Sequence, residues 1–233
     1  MTTATAPLTI VFPLYPQLTQ LDFTGPFQFL VRLPGAQTII ASAKGGEIEA
    51  EGGMIFGRTT PLADIPACDI LCVPGGFTAT EAALDPEFLP HIRRLGLGAR
   101  YITSVCTGSL ILAAAGLLTG KRAACHWQWR HLLSEFGAIP DSGRVVRDGN
   151  IFTGGGVTAG IDFALTLVAE IAGDDYAQTL QLGLEYAPAP PFNAGRPEIA
   201  PPAILAAYEK RTASVMPLRT AQAKQAAAAM IQA

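Results

Sequence analysis

A chain of 233 residues is long enough to bury one sizeable core and fits a single large domain better than two. With 49% hydrophobic and 15% charged residues it has the composition of a globular enzyme and not that of a disordered chain. A net charge of −3 without any Lys/Arg-rich run argues against nucleic acid or an anionic membrane as a partner.

The start, Met1–Pro7, has no basic residue followed by an apolar stretch, so no signal peptide is expected. No apolar run approaches the ~20 residues of a membrane helix, and a cytoplasmic protein is expected. Leu8–Phe12 is a buried strand closed by Pro13. Thr19–Leu33 reads as helical, with a break near Gly25-Pro26. Gln37–Ser42 is a second strand, and Lys44–Arg58, rich in Gly and Glu, a turn and hairpin. Asp69–Val73 is a buried strand running straight into Pro74-Gly75-Gly76. A helix covers Pro86–Leu95, and Tyr101–Val105 is the next strand. Thr107–Ala115 is strongly helical, with Gly116 as its stop.

The second half repeats the alternation. A short strand at Ala123–Cys125 precedes a helix at Trp127–Phe136. Val145–Arg147 and Ile151–Thr153 flank the hairpin turn Asp148-Gly149-Asn150. Helices follow at Thr158–Ile171 and Asp174–Glu185. The proline-rich stretch Ala187–Pro202 reads as an extended arm, and Ile204–Arg211 and Thr220–Met230 as helices. The expected organisation is a catalytic domain over 1–202 and a helical C-terminal tail, 203–233, packed on or beside it.

Alternating strands and helices imply a mainly parallel sheet covered on both faces, with its site beyond the carboxyl ends of the strands. Four segments sit there. Cys106 follows a buried strand and precedes a helix with no loop between. So tight an elbow strains the backbone and projects the side chain, and the free N–H groups of the new helix favour a thiolate of lowered pKa. The alternative is an inert buried cysteine. Pro74-Gly75-Gly76-Phe77 lets the backbone approach a ligand and aim N–H groups at developing negative charge, unless it is an ordinary strand-ending turn. Asp22, three residues after Thr19, suits a capping box at a helix start and equally a carboxyl that exchanges a proton with the thiol. Gly154-Gly155-Gly156-Val157 is the fourth segment. The Thr107 hydroxyl caps its helix or bonds the substrate.

His126 is the obvious partner for a cysteine nucleophile, yet it reads better as a structural histidine, and His91 and His131 as solvent-facing. The four cysteines are not a disulfide framework in a chain of this kind. Cys68 and Cys72 have a metal-like spacing, but they lie at and in an apolar run and no histidine clusters with them, so no metal is expected.

The stretches SVCTGSLILAAAGLLTGKRA, PGGF, VVRDGNIFTGGGVTAGIDFALTL and LEYAPAPPFNAG together resemble the ThiJ/PfpI family, a branch of the class I glutamine amidotransferase-like superfamily. The likeness runs over roughly residues 8–200 and is nearest to the family's isocyanide-hydrating members. It implies an α/β, flavodoxin-like three-layer sandwich and a homodimer. It also implies hydration of a small-molecule isocyanide to an N-substituted formamide, without metal or organic cofactor. Carried over by position, the catalytic residues are Cys106, Asp22 and Thr107, and Gly75, Gly76, Gly155 and Val157 surround the substrate. Family proteases place His directly after the cysteine, where this chain has Thr107, and deglycase-like members carry Glu at the position of Asp22. The expected intermediate is a Cys106 thioimidate, with Asp22 delivering the proton. The competing readings are a carbonyl- or peptide-directed enzyme of the same fold, the ligand-sensing domain of a transcription regulator, and a redox sensor based on Cys106. The segment after Pro202 looks too short and too poor in basic residues for a DNA-binding module.

Overall fold

The computed structural model of the protein describes residues 7–232. The leader reading therefore falls almost wholly outside the described residues. In chain order the elements are β1 (Leu8–Pro13), α1 (Gln20–Leu30), β2 (Ala36–Ser42), β3 (Gly46–Glu49), β4 (Ile55–Pro61) and β5 (Ile70–Val73). Then come α2 (Ala79–Ala82), α3 (Leu89–Gly98), β6 (Tyr101–Val105), α4 (Gly108–Ala114), β7 (Arg122–Ala123) and β8 (Ile139–Pro140). The chain ends with β9 (Val145–Asp148), β10 (Ile151–Gly154), α5 (Ala159–Ala172), α6 (Asp174–Gly183), α7 (Pro202–Thr212) and α8 (Met216–Gln232).

Eight strands form one sheet in the order β3-β4-β2-β1-β5-β6-β10-β9. The six inner strands are parallel, and β3 and β9 close the edges antiparallel. Every residue of β5 and β6 is buried, as central strands covered on both faces require. α1, α5 and α6 pack together on one side, and α2, α3, α4 and α8 on the other, giving the three-layer α/β sandwich. From β1 the chain first moves to β2 and later returns to β5 on the opposite side. The topological switch point thus lies between β1 and β5, where such sheets hold their ligands.

Three local expectations change. α1 runs through Pro26 without a break. Proline removes the N–H that would bond the Asp22 carbonyl, but its ring is buried against α5. A Cβ on Gly160 would sit 3.1 Å from Pro26 Cδ, so the missing side chain on α5 admits the ring and helix packing outweighs the lost bond. The helix expected over Trp127–Phe136 is a 3-10 helix over Arg130–Phe136. The short strand expected over Ala123–Cys125 pairs only through Arg122 and Ala123, with β8.

α4 approaches the end of β5 so closely that a Cβ on Gly108 would lie 2.3 Å from the Val73 carbonyl oxygen. This contact sets the helix carrying the site against its neighbouring strand. Gly108→Ala is expected to destabilise the fold by about 1–3 kcal/mol, read as a lower urea midpoint with unchanged slope.

At the C-terminus, α8 buries Ala223, Ala226 and Ala227. Gln222 Oε1 accepts from Thr80 Oγ1 at 2.8 Å, and Arg219 pairs with Glu81. The arm before α7 has no strand and little regular structure, and leaves Phe192 81% exposed.

Candidate active site

Cys106 sits between β6 and α4 with φ +58, a left-handed conformation that costs a non-glycine residue about 1–2 kcal/mol. The strain is held by its neighbours: Cys106 N donates to the Gly154 carbonyl at 3.1 Å, and Ser109 Oγ donates to the Cys106 carbonyl at 3.1 Å. The elbow expected from the sequence is present, and the thiol is directed toward the switch point.

Three chain segments converge behind it. The loop after β1 donates Thr19 N–H to the Gly75 carbonyl at 3.0 Å, and Tyr15 Oη donates to the Pro74 carbonyl at 3.2 Å. From α1, Asp22 is fully buried, and its Oδ2 accepts the Gly75 N–H at 3.0 Å. A Cβ on Gly75 would lie 2.6 Å from Asp22 Oδ2 and 2.6 Å from Thr107 N, so only glycine admits this convergence. No side chain caps α1 at Thr19, so the capping-box reading of Asp22 does not hold. Among the described residues, Asp22 Oδ1 has no aligned hydrogen-bond partner. The carboxyl and the Cys106 thiol nevertheless face each other closely enough to shift each other's titration. Such pairs commonly align only when substrate binds.

Burial, the largest effect, raises Asp22 to about 7, and nearby Glu51 adds to the rise. The facing Cys106 thiol and the Gly75 N–H that Asp22 accepts pull the other way. Burial also pushes the Cys106 thiol well above its ordinary value, and the facing Asp22 adds to this. The Thr107 N–H favours the thiolate but does not offset them. The lowered thiol pKa expected from the helix start is therefore corrected: α4 is a seven-residue helix, and desolvation outweighs its N–H groups. Burial likewise holds Cys68, Cys72 and Cys125 near 12.

The glycine N–H groups expected to face substrate are already engaged. The Gly75 N–H is bound to Asp22, and the Gly76 N–H donates to Thr107 Oγ1 at 2.8 Å while that hydroxyl donates to the Gly76 carbonyl at 2.8 Å. Thr107 therefore clamps the β5 turn and does not cap α4.

Cys106 opens into a cavity of about 130 Å³. Thr107, Gly76 and Val157 line it as expected, while Gly75 and Asp22 lie behind the sulfur outside the lining. Gly155 is not in its wall either. Its N–H donates to the Arg144 carbonyl at 2.9 Å, and it faces an adjoining cleft of about 240 Å³. His126 does line the Cys106 cavity, and burial lowers it to about 4, so it is a neutral wall residue at neutral pH. The sequence reading missed Glu51, Trp129 and Tyr208, which complete the wall with Phe77 and Thr19. The Phe77 and Trp129 rings meet edge to face at 6.1 Å. The cavity is therefore aromatic on one side, with a shielded thiol and one carboxyl behind it.

The chain matches the DJ-1/PfpI family over residues 8–170. It is 51% identical over 221 residues to the isonitrile hydratase of Pseudomonas putida, a match covering 95% of this chain and 97% of that one. Among solved structures, a ThiJ/PfpI family protein from Pseudomonas syringae superposes with a TM-score of 0.90 at 40% identity, covering 96% of this chain and 92% of its own. Drosophila melanogaster DJ-1beta superposes with a TM-score of 0.68 at 23% identity, covering 78% of this chain and all of its own, and so shares the fold.

Proposed function

The chain belongs to the DJ-1/PfpI family, and we infer that it is a hydro-lyase that adds water to an isocyanide to give an N-substituted formamide. The observation that carries this reading is the near full-length, 51% identity to an isonitrile hydratase. The site is compatible with that chemistry: a thiol on a strained elbow, one carboxyl beside it, and a small cavity with aromatic walls.

The proposed reaction uses water as its only co-reactant. The Asp22 carboxylate accepts the Cys106 proton as sulfur bonds to the terminal isocyanide carbon. That carbon becomes basic and takes the same proton back from Asp22, leaving the thioimidate Cys106–S–CH=N–R. Water oxygen then bonds to this carbon, and a water proton passes through Asp22 to nitrogen. The tetrahedral adduct breaks its C–S bond, its hydroxyl proton returns to sulfur, and the formamide departs. Because both groups are held up by burial, the thiolate forms during attack and is not stored beforehand.

The protein is further proposed to act as a cytoplasmic homodimer. In support of this, no helix among the described residues is long and apolar enough to cross a membrane. The arm and α7 also leave Phe192, Ile199 and Ile204 largely exposed, as a surface for a second copy would.

The test is product analysis. Phenyl or cyclohexyl isocyanide incubated with the protein is expected to yield the corresponding formamide by NMR, whereas methylglyoxal is left unconsumed. Consumption of methylglyoxal alone would overturn the hydratase reading in favour of a carbonyl-directed enzyme.

A further inference from the structure

Among the side chains around the Cys106 cavity, Tyr208 comes from the most distant part of the chain. It is carried by α7, a helix that adds little to the core. Of the α7 side chains only Thr212 is buried, Leu205 and Tyr208 are half-buried, and the rest are exposed. The three fall at i, i+3 and i+7, a single face turned toward the body of the protein.

That face is tied to the site. The Tyr208 ring packs on Trp127 with centroids 5.4 Å apart. Gln128 Nε2 donates to Thr212 Oγ1, one turn further along α7. Both partners belong to the segment that also supplies His126 and Trp129 to the cavity wall. Arg211 lies over the Tyr208 ring, 5.2 Å from its centroid. The ring is thus held by stacking, by a cation and by an adjacent hydrogen bond, in a helix otherwise turned to solvent.

The distribution of α7 among relatives points the same way. The segment shared with the DJ-1/PfpI family at large stops at residue 170, before α7 begins. The match to the isonitrile hydratase covers 95% of the chain and so takes α7 in. The elbow, Asp22 and the glycine turn all lie within the common segment, whereas the Tyr208 wall is an addition to it.

We propose that Tyr208 is a specificity-determining residue of this site, its ring closing the outer side of the Cys106 cavity and limiting the isocyanide to a compact apolar substituent. The identity of the substrate rests on the hydratase reading; the closure of the thiol by the ring does not.

Two measurements test this. In the first, kcat/KM is compared for a compact and a bulky substrate, phenyl and 1-naphthyl isocyanide. Tyr208→Ala is expected to raise the bulky-to-compact ratio by about tenfold or more, and Tyr208→Phe to leave it close to wild type. An equal loss on both substrates would make Tyr208 a structural residue and overturn the proposal.

In the second, alkylation of Cys106 by iodoacetamide and by N-(1-pyrenyl)maleimide is followed by peptide-mapping mass spectrometry. Tyr208→Ala is expected to increase the pyrenyl rate relative to the iodoacetamide rate by about tenfold, on the same steric argument. An unchanged ratio overturns the proposal. This second readout needs no turnover, so a wild-type protein inactive on every isocyanide would refute the hydratase reading while still deciding the role of Tyr208.

Discussion

Cys106→Ala is expected to abolish formamide production, with a loss on the order of 10⁴-fold or more, and Cys106→Ser to do the same. The alanine variant has no atom to bond the isocyanide carbon. The serine variant keeps the shape but not the chemistry. An alcohol is much harder to deprotonate than a thiol, and Asp22, even raised to about 7, is too weak a base to activate it. An oxygen adduct would also expel its alkoxide far less readily than a thioimidate adduct expels a thiolate. Both variants retain a non-glycine residue at φ +58, so the backbone strain remains and the melting temperature should move little. The measurement is formamide formation at matched protein concentration, with circular dichroism confirming the fold. Serine activity above about a tenth of wild type would refute a covalent thiol intermediate.

Asp22→Asn is expected to reduce turnover by roughly 10²–10⁴-fold, the usual contribution of a positioned proton-transfer group. The amide still offers an oxygen to the Gly75 N–H, so the convergence of α1 and the β5 turn can survive. What disappears is the buried carboxyl beside the sulfur that is proposed to carry a proton to and from substrate. In the wild type the pair must hold one proton: the thiol protonated and Asp22 ionised. Activity should therefore fall as pH drops through about 7, where Asp22 gains its own proton. The alkaline limb should lie well above the ordinary thiol range, because burial raises Cys106. In Asp22→Asn the acid limb near 7 should vanish from whatever rate remains. A wild-type profile flat from pH 5 to 9 would remove Asp22 from the proton path.

The same carboxyl opposes stability. Its pKa in the folded state is raised to about 7, above the ordinary value near 3.8, so the folded protein holds this proton more tightly than the unfolded chain. The resulting stabilisation is complete below about pH 4 and is lost as pH rises through about 7. A rise of that size corresponds to about 4 kcal/mol. Asp22→Asn has no such dependence. Relative to wild type it should therefore be more stable at pH 8 than at pH 4, by up to about 4 kcal/mol in urea unfolding. A carboxyl kept in the core at a cost to stability fits the proton-transfer role proposed for Asp22.

Much of the architecture is legible in the sequence because it is local. Apolar runs such as Asp69–Val73 and Tyr101–Val105 belong to strands buried on both faces, and the abrupt passage from Val105 through Cys106 to Gly108 leaves no room for a loop. A positive φ at Cys106 follows from that brevity. The Asp148-Gly149-Asn150 turn specifies its hairpin in the same way. The break that the sequence predicts in α1 near Gly25-Pro26 is absent, because propensity cannot register that Gly160, far along the chain, leaves space for the proline ring.

The residues of the site divide along the same line. Cys106, Thr107 and the glycine pair announce themselves by their positions at strand ends, where short-range sterics act. Their partners do not. Only the packing of α1 against the β5 turn takes Asp22 from a helix cap to the sulfur, and only the crowding of three segments engages the Gly75 and Gly76 N–H groups internally. Tyr208, on an alanine-rich tail beyond a proline-rich arm, carries no local mark of its place in the wall. The direction of the Cys106 shift also belongs to the tertiary structure. The sequence alone determined the elbow and the cysteine placed on it, because backbone sterics over a few residues set the sharp turn. Whether that thiol is lowered or raised depends on how much water the assembled protein removes from it, and desolvation is a property of the whole fold.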